Sequence, residues 1–597
     1  MDSKIQLLAP IRIVAVIFFS VVILVYAHSL SGPFIWDDKP LVVDNPLIKN
    51  WANFAQVFKS EVYLDTSTNY FRPLETMTFM ADYALFKLSP FGYHLTNVLF
   101  HFLAGIFLFW VLTLITKNFF LSFATGLTFL VHPIHSEAVS YISGRADPLA
   151  AVFILSSLGC YIKACSTDRF KGYSHTGLVL LSLVLFIFAL LSKEIAVIFP
   201  LAVLGLDTLM MNDKKRILRV LPFFIIVLFY GFLRMSVLNF SSGNALLSKK
   251  GFAVLDVGLI FRLGIFLKTF VIYLGSLFIP FNLHMERIVS FEKITFFHWA
   301  GVAFCLGLYV LLRLRTDTKL KEKIGLLHFS LYWFLIWILP QSALVFPRLM
   351  ADHFLYLPSI GIFLIVALNI DALKSLKIRN LFLIFLSAYF GVFTVIYNHQ
   401  WRDELSFFVR TTKLSPASFR AHDNLAAIYL KENRIEEAVR EYQLILDPDG
   451  SILDKKDFVL FVHKVLKRPI AQERRKLASI AFYNLGVIFA DQGRQEDAIR
   501  AYEAALKVNP RSKMVYNNLA LVYERKGMFP EAEALYQKAI ALDGHYVQAY
   551  NNLGQLHAKR GDFKRAIALW RKALEIKPDY EIAKKNISLA QKPIKND

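Results

Sequence analysis

Apolar runs long enough to cross a bilayer, which takes about 20 residues, recur through residues 1–398 and then cease. The first extends roughly from Ile11 to Ala27. Others lie near 94–115, 119–131, 148–163, 176–192, 195–211, 217–238, 295–312, 327–346, 353–371 and 381–397. In lipid a helix satisfies its own backbone polar groups, so the pattern predicts an all-α, polytopic membrane half. Residues 399–597 read as an ordinary soluble segment. The chain is 56% hydrophobic and holds 55 Phe, above the roughly 45–50% usual for soluble proteins. The excess falls in the first part. Lys4 and Arg12 flank the first run as in a signal peptide, but we read it as an uncleaved anchor.

The formal net charge of +21 is assigned to loops beside the membrane rather than to nucleic-acid binding. One set of connections is basic: Lys117, Lys163 to Lys171, then Lys214, Lys215, Arg216 and Arg219. The other set, His132 to Asp147 and Ser192 to Glu194, has no basic excess. The positive-inside rule puts the first set in the cytoplasm and the second outside, together with the loop that follows the first run. The run near 258–280 carries Arg262 and Lys268, which are costly at mid-bilayer. It is read as re-entrant or interfacial. The expected count is eleven spans, with residues 399–597 outside. Twelve would place that part in the cytoplasm. Cys160, Cys165 and Cys305 form neither a disulfide framework nor a zinc spacing.

The soluble part repeats. Asn484-Leu485-Gly486, Asn518-Leu519-Ala520 and Asn552-Leu553-Gly554 recur every 34 residues. Each is followed by a turn glycine (Gly493, Gly527, Gly561), a packing alanine (Ala498, Ala532, Ala566) and an aromatic (Tyr502, Tyr536, Trp570). This period and order resemble the tetratricopeptide repeat, an α-solenoid of paired helices with a concave face suited to a peptide or protein. An earlier unit begins at Asn424-Leu425-Ala426, which gives about four repeats, and a basic insertion near 450–475 separates it from the next.

Candidate chemistry gathers on the outer side. Asp37 and Asp38 lie in the first loop, after Trp36. Adjacent carboxylates repel, which raises one pKa and makes a better general base. Asp-Asp-Lys-Pro is equally a turn. His132-Pro133-Ile134-His135-Ser136-Glu137 lacks the spacing of a helical zinc site. Arg145, Arg72, Lys193 and Arg348 either bind a lipid phosphate or anchor the chain at the interface. Asp147 and Glu194 accompany them, and polar groups gathered at one membrane face mark a site.

Several stretches together resemble the transmembrane and tetratricopeptide-repeat O-mannosyltransferases of the GT-C class. They are Trp36-Asp37-Asp38, Arg72-Pro73-Leu74, Tyr93-His94-Leu95-Thr96-Asn97 with His101, His132 to Val139, and Gly144-Arg145-Ala146-Asp147. Ser192-Lys193-Glu194, Tyr356 to Gly361 and the repeats that follow belong to the same pattern. The sequence departs from it at Ala351-Asp352-His353, where the family pattern resembles Ala-Glu-Arg. His353 replaces that Arg as a phosphate ligand only when protonated.

The resemblance implies a GT-C-like transmembrane catalytic domain, 1–398, and a repeat domain, 399–597. It implies transfer of a sugar, mannose foremost, from polyprenyl phosphate to Ser or Thr hydroxyls of exported proteins, with inversion. Asp37 with Asp38 would serve as base and orienter. Arg145, then Arg72 and Lys193, would face the donor phosphate. Glu194, His132, His135, Glu137, Asp147, Arg348, His353 and Tyr356 would line the donor or substrate site. The partners implied are membrane lipid, the lipid-linked sugar and an acceptor held by the repeats. No cofactor is expected, and a divalent metal between Asp38 and Glu137 is left as an alternative. The expected location is a bacterial inner membrane with periplasmic repeats, against an endoplasmic reticulum membrane with lumenal repeats. Competing functions are transfer of another sugar to a glycan or lipid, and a non-catalytic repeat scaffold.

Overall fold

A computed structural model describes residues 2–60, 70–166, 173–211, 216–237, 259–285, 287–288, 318–340, 349–447, 458–467 and 472–591. The chain divides into two compact units, Met1–Arg410 and Thr411–Asp597.

The first unit is a helical bundle. Six described helical stretches are long and apolar enough to cross a membrane: Ile11–Ser31, Pro90–Thr116, Ile142–Ser166, His175–Ser192, Ile217–Met235 and Leu376–Trp401. Phe119–Val131 and Pro133–Ser140 are long and apolar enough only as a pair, and the pair is bent by 52°. Three shorter apolar helices follow, Phe266–Phe278, Ile324–Leu339 and Ser359–Asp371. The run expected at 195–211 is helical throughout, as a 3-10 helix Glu194–Ile198, an α-helix Phe199–Leu206 and a π-helix Asp207–Met211, and that at 295–312 lies outside the described residues. Residues 258–280, expected as re-entrant or interfacial, form one continuous helix, Leu259–Phe278, without the reversal a re-entrant segment needs. Its Tyr273 and Leu277 pack into the bundle core.

Ala146–Ser166 is the central helix. The span that contains it is 78% buried, against 11% for Ile217–Met235. Its Ser157 hydroxyl donates to the Ser182 carbonyl, and Ser182 returns the bond to the Ser157 carbonyl. Small residues let helices approach closely, and paired hydroxyls hold them there. The outer faces carry exposed Leu180, Leu181, Ile217, Leu218 and Leu228, as lipid contact requires. Outside the helices, Arg287–Ile288 pairs antiparallel with Leu349–Met350.

The bend at His132-Pro133 follows from the proline, which cannot continue the ladder. The carbonyls it orphans are met from neighbouring helices. His101 Nε2 donates to the Leu130 carbonyl at 3.2 Å, and the Thr394 hydroxyl donates to Val131 at 2.5 Å. His132 Nδ1 accepts from the Ile134 amide while Nε2 donates to the Leu277 carbonyl at 2.9 Å.

The second unit stacks helix pairs: Phe419–Lys431 with Ile435–Leu446, Gln472–Asp491 with Gln495–Val508, Lys513–Arg525 with Phe529–Leu542, and Val547–Lys559 with Phe563–Ile576. Each turn needs a left-handed residue. Gly493, Gly527 and Gly561 supply it at φ 73°, 77° and 79°, and Asn433 does so at 59° in the first repeat. Asn586, Asn552 and Asn518 donate across repeats to Asn551, Asn517 and Tyr483. In the insertion, Phe458–Lys467 is helical, and Phe458 packs on Phe489.

Candidate active site

The loop after the first span is pinned residue by residue. Asp38 is buried. Its carboxylate accepts from the Ile35 amide at 2.9 Å, from the Ser143 amide at 2.8 Å and from the Ser143 hydroxyl. Burial pushes its carboxyl up to about 7, against these bonds, which favour the charged form. Asp37 is half-buried, and its amide donates to the Tyr141 hydroxyl at 3.0 Å. The Trp36 amide donates to Glu404 Oε1 at 3.3 Å, and Lys39 Nζ meets the same oxygen at 2.5 Å.

The turn that receives this loop is itself fixed. Gly144 lies so close to the 137–138 backbone that a Cβ there would stand 2.7 Å from the Glu137 carbonyl oxygen. Asn97 Nδ2 donates to the Val139, Tyr141 and Ile142 carbonyls. Arg145 is fully buried and committed. Its Nε donates to Asn97 Oδ1, one terminal nitrogen meets Asp82 at 2.6 Å and the Thr78 hydroxyl, and the other donates to the Tyr93 carbonyl. Its ring neighbours are Phe79 and Tyr93. This guanidinium, placed first among donor-phosphate ligands by the sequence, holds the turn rather than a cavity.

A second cluster is ionic. Arg72 Nε donates to Glu194 at 3.0 Å, and its guanidinium stands 3.7 Å from Glu75. Burial alone would raise the Glu194 carboxyl, but Arg72 beside it brings it below the usual range. Burial pushes Glu75 up to about 7. Lys193 Nζ pairs with Asp147 at 2.6 Å, and His353 Nδ1 donates to Glu137 at 2.5 Å while its amide reaches the other Glu137 oxygen. His353 Nδ1 and its backbone amide are thus both engaged by Glu137 rather than turned to a phosphate. Asp147, Ile195, Trp337, His353 and Phe354 line a small cleft.

The remaining sequence-predicted residues divide. Tyr356 donates to His101 Nδ1 at 2.7 Å, and His135 lies 3.5 Å from the Ser359 hydroxyl, both in the buried bundle. Arg348 lies outside the described residues. Asp38 and Glu137, the suggested metal pair, are committed to different partners, and no group of three or more His, Cys, Asp or Glu among the described residues is arranged to hold a metal.

A tetratricopeptide repeat model matches residues 513–579 and a TPR repeat model residues 486–527. A Caenorhabditis elegans protein O-mannosyl-transferase is 26% identical over 448 residues, covering 72% of this chain and 62% of the worm protein. Mus musculus Protein O-mannosyl-transferase TMTC2 is 37% identical over 155 residues, 25% of this chain and 18% of its own length. The chain is thus similar to curated protein O-mannosyl-transferases. It spans less than two thirds of the length of these curated relatives. Among solved structures, the Arabidopsis OM64 TPR domain is 27% identical, covering 20% of this chain and 99% of that one, with a TM-score of 0.19.

The sequence did not single out Glu75, Asp82, Tyr141, Ser143 or Glu404. Two acids on the otherwise apolar helix Pro73–Phe86 were a legible sign of buried partners. Glu404 lies beyond the last apolar run and carried no sign.

Proposed function

We propose that this TMTC-like chain is a membrane glycosyltransferase that moves a sugar, mannose foremost, from polyprenyl phosphate to Ser or Thr hydroxyls of proteins. The acceptor oxygen attacks C1 of the sugar and the C1–O bond to phosphate breaks with inversion. The hydroxyl proton passes to Asp37, and polyprenyl phosphate leaves. General-base help of this kind contributes roughly 10²–10⁴-fold. Arg72 and Lys193 meet the developing phosphate charge, which requires each to loosen its bond to Glu194 or Asp147. Asp38 and Arg145 fix the loop and its receiving turn. The repeats hold the acceptor on the outer side, the periplasmic face of a bacterial inner membrane.

The observation that carries this reading is the docking of the Asp37-Asp38 loop on the Tyr141–Arg145 turn, whose Gly144 packs on Glu137. Names of the curated relatives support the reaction class. The test is transfer from labelled polyprenyl-phosphate mannose by the purified full chain. Asp37→Asn is expected to abolish transfer with membrane insertion intact, and exported proteins are expected to lose hexose on Ser or Thr when the chain is absent. Wild-type transfer by Asp37→Asn would remove Asp37 as base.

A further inference from the structure

Trp36 has φ 50°, the left-handed region that a bulky side chain occupies only under constraint, at a cost a surrounding structure must offset. Lys87 and Lys117, two of the other four described non-glycine residues with positive φ, close helices, and the remaining two are asparagines, which tolerate this region. Trp36 has neither excuse. The turn around it is closed locally, by the Asp38 amide on the Ile35 carbonyl and the Lys39 amide on the Trp36 carbonyl, and its own amide and indole are held from far along the chain. Its amide donates to Glu404 Oε1, and its indole sits 5.7 Å from the Phe408 ring and 6.1 Å from Phe407. Phe407 stacks on Trp401, which stacks on Tyr141, the residue that receives the Asp37 amide. Glu404 opens the helix Glu404–Leu414, so its carboxylate is placed by a regular element.

We infer that Glu404 is a positioning residue: it holds Trp36 in its left-handed conformation and thereby sets where Asp37 stands. This rests on the reading of Asp37 as the base. Asp38 takes the Ile35 amide and Tyr141 the Asp37 amide, on either side of Trp36, whereas Glu404 takes the Trp36 amide itself. The bond to Trp36, rather than the ion pair with half-exposed Lys39, is the operative contact.

The test combines turnover with hydrogen exchange of residues 35–39 in the full-length protein. Glu404→Ala is expected to lower kcat and to speed exchange of the 36 and 37 amides, each by about ten-fold, the loss of one bond to a charged acceptor. KM for the lipid-linked donor should be unchanged. Glu404→Gln keeps an acceptor oxygen and should restore both readouts, and Lys39→Met should leave both near wild type. Wild-type kcat in Glu404→Ala, or slow turnover with unchanged exchange, overturns the inference. So does a ten-fold loss in Lys39→Met, and this outcome with that of Glu404→Gln decides the matter if the alanine variant fails to insert. Full activity of Asp37→Asn would instead remove the base, and the positioning role with it. An inactive Asp37→Asn beside a wild-type Glu404→Ala removes only the role of Glu404.

Discussion

Asp37 and Asp38 are chemically identical neighbours that the fold treats differently. Asp38 faces three donors inside the protein, and Asp37 stays half-buried beside Tyr141. Asp38→Asn turns an acceptor into a group with its own N–H donors facing N–H and O–H. We expect it to destabilise the protein by about 1–3 kcal/mol, read as a lower Tm, whereas Asp37→Asn should leave Tm unchanged. Equal Tm for both variants would refute the division of labour. Glu75 gives the pH dependence at this scale. Its carboxyl rises from 4.5 to about 7 through burial, so between those values the folded state holds the proton more tightly than the unfolded. Stability therefore falls as pH rises from about 4.5 to 7, and Glu75→Gln should flatten that slope in thermal melts across the window. The sequence marked both aspartates but offered nothing to separate them, because the difference lies in which one meets Ser143, 105 positions away.

Among elements, the break at His132-Pro133 and the turn around Gly144 do most to bring the groups together. Proline announces a bend, so the bend was legible. The use of His101, His132 and Thr394 to meet the loose backbone ends was not, since the same histidines read equally as ligands. Gly144 was visible only as part of a motif. Its physical reason is the approach to the backbone of Glu137 and Ala138, whose carbonyl oxygens would lie 2.7 Å and 2.9 Å from any Cβ placed on it. Neither neighbour is a side chain that could swing away. Gly144→Ala should therefore push the turn off Glu137 at a cost of about 1–3 kcal/mol. It should also slow transfer, because the same turn carries Ser143 and Tyr141. A variant with wild-type Tm and wild-type turnover would show that the close approach is dispensable. The run near 258–280 shows the opposite limit: its basic residues argued for a re-entrant or interfacial segment, and the continuous helix Leu259–Phe278 rules against the re-entrant form alone.

For the whole molecule, the repeat period was legible because each pair of helices repeats the same small residues and turn. The array then ties its first helices together through asparagines spaced one repeat apart. The side of the membrane on which this array stands depends on the parity of the spans. With a cytoplasmic start, eleven crossings put residues 399–597 on the side of Asp37, and twelve put them opposite. The helix Leu259–Phe278, which the sequence withheld from the count, is twenty residues long, so its crossing or not carries the parity. We expect a reporter fused after Asp597 to read outside, with a second reporter before Met1 reading cytoplasmic. That pair of results lets the repeats present an acceptor hydroxyl to Asp37. A cytoplasmic reading at both ends would separate the array from the base by a bilayer. The role of the repeats in holding the acceptor and that of Glu404 in holding Trp36 would then both fail, while the chemistry assigned to the loop would still stand on the transfer assay.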